Sequence, residues 1–511
     1  MKKQLPKSVI IIGAGIGGLA TACLLANKGV AVTIIEKNEQ VGGRAGFLEV
    51  DGFKSDTGPS WFLMPDVFEH FFDSIGVDMN QALDLKRLDP AYKVFFESNL
   101  DPITIYGDED KDSELFESIE PGAGKSLKKY LKSAEIAYKS ATESFLYTNF
   151  DNYPAFMTPK SIKALPIIAK SASQSIDNYV SKFVTNPQLK QVLEYPMVFL
   201  GTSPYEAPSL FRLMSYMDFC QGVYYPMGGM YQIIEVLNKF ASDNSVVTRL
   251  SVGVDKIITK NKLATGVRLI NGEIIEADVI ISNADVYHTE MKLLAPKDRS
   301  YSQADFDKQT ASPSAILVYL GVSGKLPQLI HHNLLFTNDW KKNFGDIFNA
   351  KKWPVPASMY VCKPSQTDDS VAPSDHENIF ILIPIPSGDS QIDNKELDKR
   401  VDIYLDQFAE QSKIKDLKKR IVFKKIFGPD DFGTNFNSWE NSMLGPAHVL
   451  SQSALWRNKN ISKKLSNLYY VGATTTPGIG LPMCLISAEL VYKRLIGDKS
   501  IKPLKVSRAG K

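Results

Sequence analysis

Val9 to Ile12 is an unbroken β-branched run, followed by closely spaced glycines and a mostly apolar stretch to Ala26. A strand covered on both faces reads this way, because helices over both sides of a parallel sheet keep it from water. The pattern predicts strand, tight turn and helix, with Gly29 as the helix stop. A second run, "VAVTIIE", predicts a strand ending at Glu36. A helix is expected after Gly228 and Gly229. The following segment, Ser245 to Val286, reads as strand, strand, Asn-Gly turn, strand and a final buried strand, a β meander. "LVYLGV" (Leu317 to Val322) and "IFILIPIP" (Ile379 to Pro386) predict strands of a second sheet. The apolar run Leu468 to Val471 predicts a late strand, and a helix is expected from about Pro482.

Two stretches stand apart by charge. Gly107 to Glu120, "GDEDKDSELFESIE", predicts a solvated loop leading into a helix. Asn152 to Lys190 carries Lys160, Lys163, Lys170, Lys182 and Lys190 against one acid, Asp177. Its Ile176, Tyr179, Val180 and Phe183 fall at helical spacing, so a basic amphipathic surface able to lie on anionic lipid is expected. A lysine-bearing helix facing water is the competing reading.

The chain has 511 residues, enough for two to four domain-sized units. Its formal charge of +2 does not favour nucleic acid as a partner. Cys23, Cys220, Cys362 and Cys484 form no CxxC pair and no zinc spacing. Each reads as a small buried apolar residue, with no metal site, and the chain as intracellular. Lys2 and Lys3 precede an apolar run, but "GAGIGG" would break a signal helix. With no uninterrupted apolar stretch of the roughly 20 residues needed to span a bilayer, a soluble or membrane-surface protein is expected.

Gly13, Gly15 and Gly18 form GxGxxG between the first strand and its helix. The first allows the turn, the second lets a pyrophosphate approach the backbone, and the third lets helix and strand pack closely. Glu36 stands about 20 residues on, where a ribose hydroxyl needs an acceptor. In "VGGRAG", Gly42 and Gly43 precede Arg44, whose guanidinium can add to the pyrophosphate site. No Ser/His/Asp or Cys/His constellation is evident, and no catalytic residue is assigned. His331 and His332 are adjacent, so in a strand they would face opposite sides.

The GGR element resembles that of the FAD-dependent amine-oxidase and carotenoid-desaturase superfamily. "GFKSDTGPSWFLMPDVFEHFF", "EYPMVFLGTSPYEAPSLFRLMSYMDF", "GVYYPMGGMYQII", "VIISNADV" and "VGATTTPGIGLPM" together resemble bacterial-type phytoene desaturases. The resemblance implies an α/β fold with a discontinuous Rossmann-like FAD-binding domain at 1–75, 221–289 and 446–511. An α+β substrate-binding domain would occupy 76–220 and 290–445, with a helical, membrane-contacting region at 152–190. The implied cofactor is FAD, held by Gly13, Gly15, Gly18, Glu36, Arg44, Gly58, Val254, Gly472, Gly480 and Leu481. Val254 would meet adenine through its backbone, and the last helix would point its positive end at the flavin. Family members often carry His where this chain has Thr476, so acid–base chemistry by such a histidine cannot apply.

The implied reaction desaturates a long acyclic carotenoid precursor by hydride transfer to the flavin. Carotenoid isomerase, terminal oxidase, saturase or a non-catalytic FAD-stabilised polyprenoid carrier are the alternatives. The implied partners are the polyene, a peripheral membrane surface, and oxygen or a quinone as electron acceptor. The expected location is cytoplasmic, on the inner face of the cell membrane. Phe95, Phe96, Tyr205, Phe211, Tyr216, Trp353 and Tyr360 are candidates for lining an apolar tunnel, each with plain core as the competing reading.

Overall fold

The computed structural model describes residues 3–97, 100–151, 171–388 and 392–506. Two sheets dominate. The first is five-stranded and wholly parallel, in the order Leu468–Tyr470, Val279–Ser282, Ser8–Ile12, Ala31–Ile35, Val247–Arg249. Its central strand is covered on both faces, with Val9 to Ile12 at most 6% exposed. That burial is why the run lacks polar alternation. The helix Ile16–Ala26 is buried along its whole length. It packs with the helices Tyr231–Asp243 and Leu481–Ile496 into one apolar cluster over the sheet. A Cβ on Gly18 would stand 2.3 Å from the carbonyl oxygen of Gly13, so only glycine permits this approach of helix to strand.

Ser8–Ile12 and Ala31–Ile35 are joined by one helical crossover, the least that parallel pairing allows, while the other strands of this sheet come from widely separated parts of the chain. Asp56 ties two such parts together. Its carboxylate accepts the backbone N–H groups of Met230 and Tyr231 at 2.8 and 2.9 Å, at the start of the helix Tyr231–Asp243.

The second sheet is seven-stranded, in the order Ile421–Phe427, Ser314–Ser323, His376–Ile385, Met359–Cys362, His332–Phe336, Tyr92–Phe96, Ile103–Ile105. It contains both expected strands, paired antiparallel along their length from Ser314↔Ile385 to Ser323↔His376. One face packs beneath the helix Asn394–Gln411, through Val401, Tyr404, Leu405 and Phe408. The other joins a core built from Tyr130, Tyr195, Phe219 and the helix Ala123–Ser144.

Four expectations are corrected. The segment Ser245 to Val286 is not one meander. Val254–Lys260, Leu263–Leu269 and Ile274–Glu276 do form a three-stranded antiparallel sheet, but Val247–Arg249 and Val279–Ser282 join the parallel sheet instead. The first turn of that small sheet is Asn261-Lys262, both at positive φ, and only the second is Asn-Gly.

The acidic stretch is itself a helix, Glu109–Ile119, rather than a loop before one. Asp108 caps it through the N–H groups of Asp110 and Lys111, which suits an acid-rich first turn. Asp112 is buried and accepts from the N–H groups of Tyr106 and Asp108.

The apolar spacing at 176–183 faces inward. Ile176 and Val180 are fully buried, and Tyr179 and Phe183 pack on Tyr130 at ring distances of 6.1 and 5.4 Å. That face is taken up by the core and is not open to lipid. Lys190 pairs with Asp177 at 2.7 Å. Lys160, Lys163 and Lys170 lie outside the described residues.

Finally, His331 and His332 do not point apart. His331 precedes the strand His332–Phe336, and the two rings lie 4.5 Å apart.

Candidate cofactor site and apolar cavity

The glycine turn is held from three sides. The N–H of Gly13 donates to the Ile35 carbonyl at 2.8 Å. The N–H of Gly42 donates to the Ala14 carbonyl at 2.8 Å, laying the "VGGRAG" segment alongside the turn. From the third side comes Asn283, the Asn of "SNAD". Cβ atoms on Gly15 and Gly17 would meet its Nδ2 and Oδ1 at 2.6 and 2.7 Å. Gly17 also faces Gly472, whose Cα would lie 3.1 Å from a Cβ there. Gly17 and Asn283 are central to the site, and the sequence motif gave neither a role. GxGxxG leaves the Gly17 position free, and only the fold brings the three segments together.

Glu36 is 5% exposed at the end of its strand. Its carboxylate accepts from the N–H of Ala14 at 2.7 Å and from that of Asn38 at 2.9 Å. Two carboxylate oxygens offer about four lone-pair sites, so acceptor capacity remains for a hydroxyl. Arg44 donates to the Ser438 hydroxyl and lies 5.5 Å from the Phe436 ring centroid. Its Nε is buried without a partner among the described residues. Burial pulls the guanidinium's affinity for its proton down, and the nearby Asp285 carboxylate opposes that effect. A buried guanidinium with an unmatched N–H calls for an anion. Gly58 presses on the backbone beneath it, where a Cβ would stand 2.3 Å from the Arg44 carbonyl oxygen. Val254 opens the strand Val254–Lys260 and borders the same cavity with Gly253 and Ile270.

The segment Val471 to Met483 is fixed by residues the sequence reading did not single out. Arg457, 3% exposed, donates to the carbonyls of Ala473, Thr475 and Pro446 at 2.7, 3.0 and 3.3 Å. Burial lowers its pKa to about 10, which leaves it charged at neutral pH. The hydroxyls of Thr475 and Thr476 donate to the Asn458 carbonyl at 2.8 and 3.1 Å, and Thr474 accepts from the N–H of Val286. The three threonines thus anchor the backbone of the segment.

Gly478 abuts His448, whose ring atoms would lie 2.4 Å from a Cβ. His448 accepts the Ile479 N–H at 3.2 Å, and burial holds it neutral. Gly480, at φ 114°, starts the helix Leu481–Ile496 with no side-chain cap. Its first-turn N–H groups and positive dipole end therefore remain available to a ligand.

These segments border one cavity of about 740 Å³. Gly13, Gly15, Glu36, Arg44, Gly58, Val254, Gly472, Gly480 and Leu481 line it at one end, while Gly18 sits behind the turn in the packing role given above. The cavity continues along the second sheet past Trp61, Tyr195, Phe199, Phe211, Phe336, Trp340, Phe344 and Tyr360. Of the seven aromatics the sequence suggested, only Phe211 and Tyr360 line it. Phe95 and Phe96 are buried elsewhere in the second sheet's cores, and Tyr205, Tyr216 and Trp353 are packed away from it. Alternation along a strand cannot say which buried face meets a void.

Among the described residues one group of potential metal ligands is close-set. His331, His332 and Cys362 are all buried, with one ligand atom each within 4.8 Å of the others. No carboxylate is in the group. Burial holds both imidazoles neutral and pushes the thiol up to about 12.

Comparison with known proteins agrees with this geometry. A carotenoid 3,4-desaturase of Haloarcula japonica is 41% identical over 96% of this chain and 98% of its own. A zeta-carotene-forming phytoene desaturase of Myxococcus xanthus is 32% identical over 96% of this chain and 94% of its own. Among solved structures, an oxidoreductase from Methanosarcina mazei shares the fold with a TM-score of 0.62, at 17% identity over 95% of this chain and all of its own. The profile of the flavin-containing amine oxidoreductases matches residues 16–495, and the chain belongs to that family.

Proposed function

We propose that this chain desaturates a long acyclic carotenoid precursor with FAD as the hydride acceptor. The observation that carries the reading is the single cavity. It begins at a dinucleotide turn and ends among aromatic and aliphatic side chains, so a hydrocarbon and a flavin can meet within it. The desaturases named above support the choice of substrate class.

Each predicted residue has a place in this reading. The uncapped helix start at Gly15 would take the pyrophosphate, with Gly13 making the turn and Gly18 holding the helix down. Glu36 would accept a ribose hydroxyl, and Arg44 would direct its unmatched Nε at the phosphates. Val254 would meet adenine, and Gly58 would keep the backbone under Arg44 close. Gly472 would let the flavin lie on the chain. Gly480 and Leu481 would present free N–H groups to the ring's electron-rich edge.

Bound FAD supplies the two-electron sink. The rest is orientation of the hydrocarbon in an apolar lining. One substrate C–H bond breaks with its electron pair, leaving an allylic cation spread over the polyene. The neighbouring carbon then loses a proton, and the electrons of that bond become the new double bond. Thr476 donates its hydroxyl to the Asn458 carbonyl, which assigns it an anchoring role and no share in proton transfer.

We further propose that the basic stretch 152–190 rests on the anionic inner face of the cell membrane, with oxygen or a quinone as the final electron acceptor. Support comes from the lysine excess and from the bilayer solubility of such hydrocarbons. Four dispersed cysteines, all unpaired, fit a reducing cytoplasm. Among the described residues no helix is long and apolar enough to cross a membrane.

Three outcomes are expected. Mixing the FAD-loaded protein anaerobically with an acyclic polyene bleaches the flavin and lengthens the product's chromophore. Air or a quinone then restores the flavin colour. A flavin that stays oxidised with every polyene tried, or a product isomerised without new double bonds, removes the reading. Glu36→Ala and Arg44→Ala each weaken FAD binding by roughly one to two decades, since hydrogen bonds to charged groups contribute about 1.5–3 kcal/mol. Unchanged affinity in both shows the site is misplaced. Changing Lys160, Lys163 and Lys170 to Glu together releases the protein from anionic liposomes, at about 1 kcal/mol per lysine. Equal sedimentation of parent and variant assigns the contact to another surface.

A further inference from the structure

Behind one wall of the cavity stands a buried carboxyl group that the reaction described above does not use. Trp61, Tyr195, Phe199 and Tyr360 all line the cavity. Around Trp61 the ring centroids of Tyr195, Phe199 and Tyr360 lie at 6.1, 5.4 and 5.9 Å. Behind them, His332 stacks on Trp61 at 4.2 Å and Tyr92 packs at 5.5 Å. The hydroxyls of Tyr92 and Tyr195 both donate to Oδ2 of Asp218, each at 2.8 Å. Asp218 is 2% exposed, and its Oδ1 has no partner among the described residues.

A buried carboxylate left half-satisfied needs a reason. Helix capping does not provide one, because its two partners are side chains from other elements. An aromatic wall attracts positive charge through its ring quadrupoles. The histidines behind this wall add no opposing charge, since burial holds His332 well below its usual range and His331 down at about 3.

We propose that Asp218, acting through Tyr195 and Tyr92, is a positioning residue for charge. With the ring faces of Trp61, Tyr195, Phe199 and Tyr360, it stabilises the cation that develops on the polyene as hydride leaves. This rests on the desaturase reading and deepens it. The electron pair of the broken C–H bond goes to FAD, and the neighbouring carbon's proton goes to water. Asp218 gains and loses nothing during the step.

The inference has a pH signature. Burial, opposed in part by the hydrogen bonds from Tyr195 and Tyr92, raises the Asp218 pKa to about 7. The titratable groups around it are Tyr92 from the strand Tyr92–Phe96, Tyr195, Cys220 on its own turn, and Asp112 from the helix Glu109–Ile119. Asp112 pushes the value up, and burial holds its own pKa at about 6. The charge on Asp218 is therefore present above the raised pKa and lost below it.

The test is single-turnover reduction of bound FAD by an acyclic polyene, from pH 5.5 to 9, using the full-length FAD-loaded protein. The parent's rate should rise with pH through about 7. Asp218→Asn keeps an acceptor for both tyrosines but has no charge. It should bind FAD normally, run on the order of 10- to 100-fold slower above pH 8, and show no such rise. Tyr195→Phe should keep the rise with its midpoint moved to higher pH, since a hydrogen bond that favours the carboxylate is gone. A parent without the rise, or an Asp218→Asn protein with the parent's rate and profile, overturns the inference. If Asp218→Asn does not fold, an unmoved midpoint in Tyr195→Phe overturns it. A parent whose flavin no polyene reduces points instead to failure of the desaturase reading.

Discussion

The structure depends on a place where three distant parts of the chain touch with no room for side chains. The glycine turn at 13–18, Asn283 and Gly472 meet there. A Cβ on Gly15 or Gly17 would enter the space of the Asn283 side chain, and one on Gly17 would also press on Gly472. This contact sets the order of the parallel strands, because Asn283 follows Val279–Ser282 and Gly472 follows Leu468–Tyr470, which pair side by side. The backbone left bare by the glycines, and the uncapped helix starts at Gly15 and Gly480, then face one cavity. Fold and cofactor site are thus consequences of the same steric exclusion.

The second sheet adds what a nucleotide domain lacks. Its central strands are apolar on both faces, with one side under the helix Asn394–Gln411 and the other toward the aromatic core. The cavity continues between this sheet and the helices opposite, so a water-poor passage opens onto the cofactor end. In such surroundings hydrocarbon binding is favoured by burial of apolar surface. Charges that remain, such as Arg44 and Asp218, act through a low dielectric and count for more than they would in water.

Local signals were legible in the sequence, and meetings of distant segments were not. Val9 to Ile12, the GxGxxG turn and Glu36 were readable because each rests on neighbours within about 25 residues. The helix start at Gly480 and the strands through Leu317 and Ile379 were readable for the same reason. Asn283, Gly17 and Asp218 were missed because each has a partner far away in sequence, whereas Arg457 and His448 hold nearby loop backbone that no local pattern marks. The burial of 176–183 was misread on similar grounds. Helical spacing shows that one face is apolar, but Tyr130, not lipid, covers it. The strand Val247–Arg249 was placed in a meander by proximity, although its pairing partner is Ala31–Ile35.

The central claim is that cofactor and hydrocarbon share one continuous cavity. A crystal structure of the FAD-loaded protein with a fully conjugated, unreactive polyene tests it most directly. The account predicts the flavin ring against Gly472 to Leu481, with the polyene passing from it along Trp61 and Tyr195. A polyene bound outside this cavity, or a flavin placed away from the segment at Gly472, would contradict it.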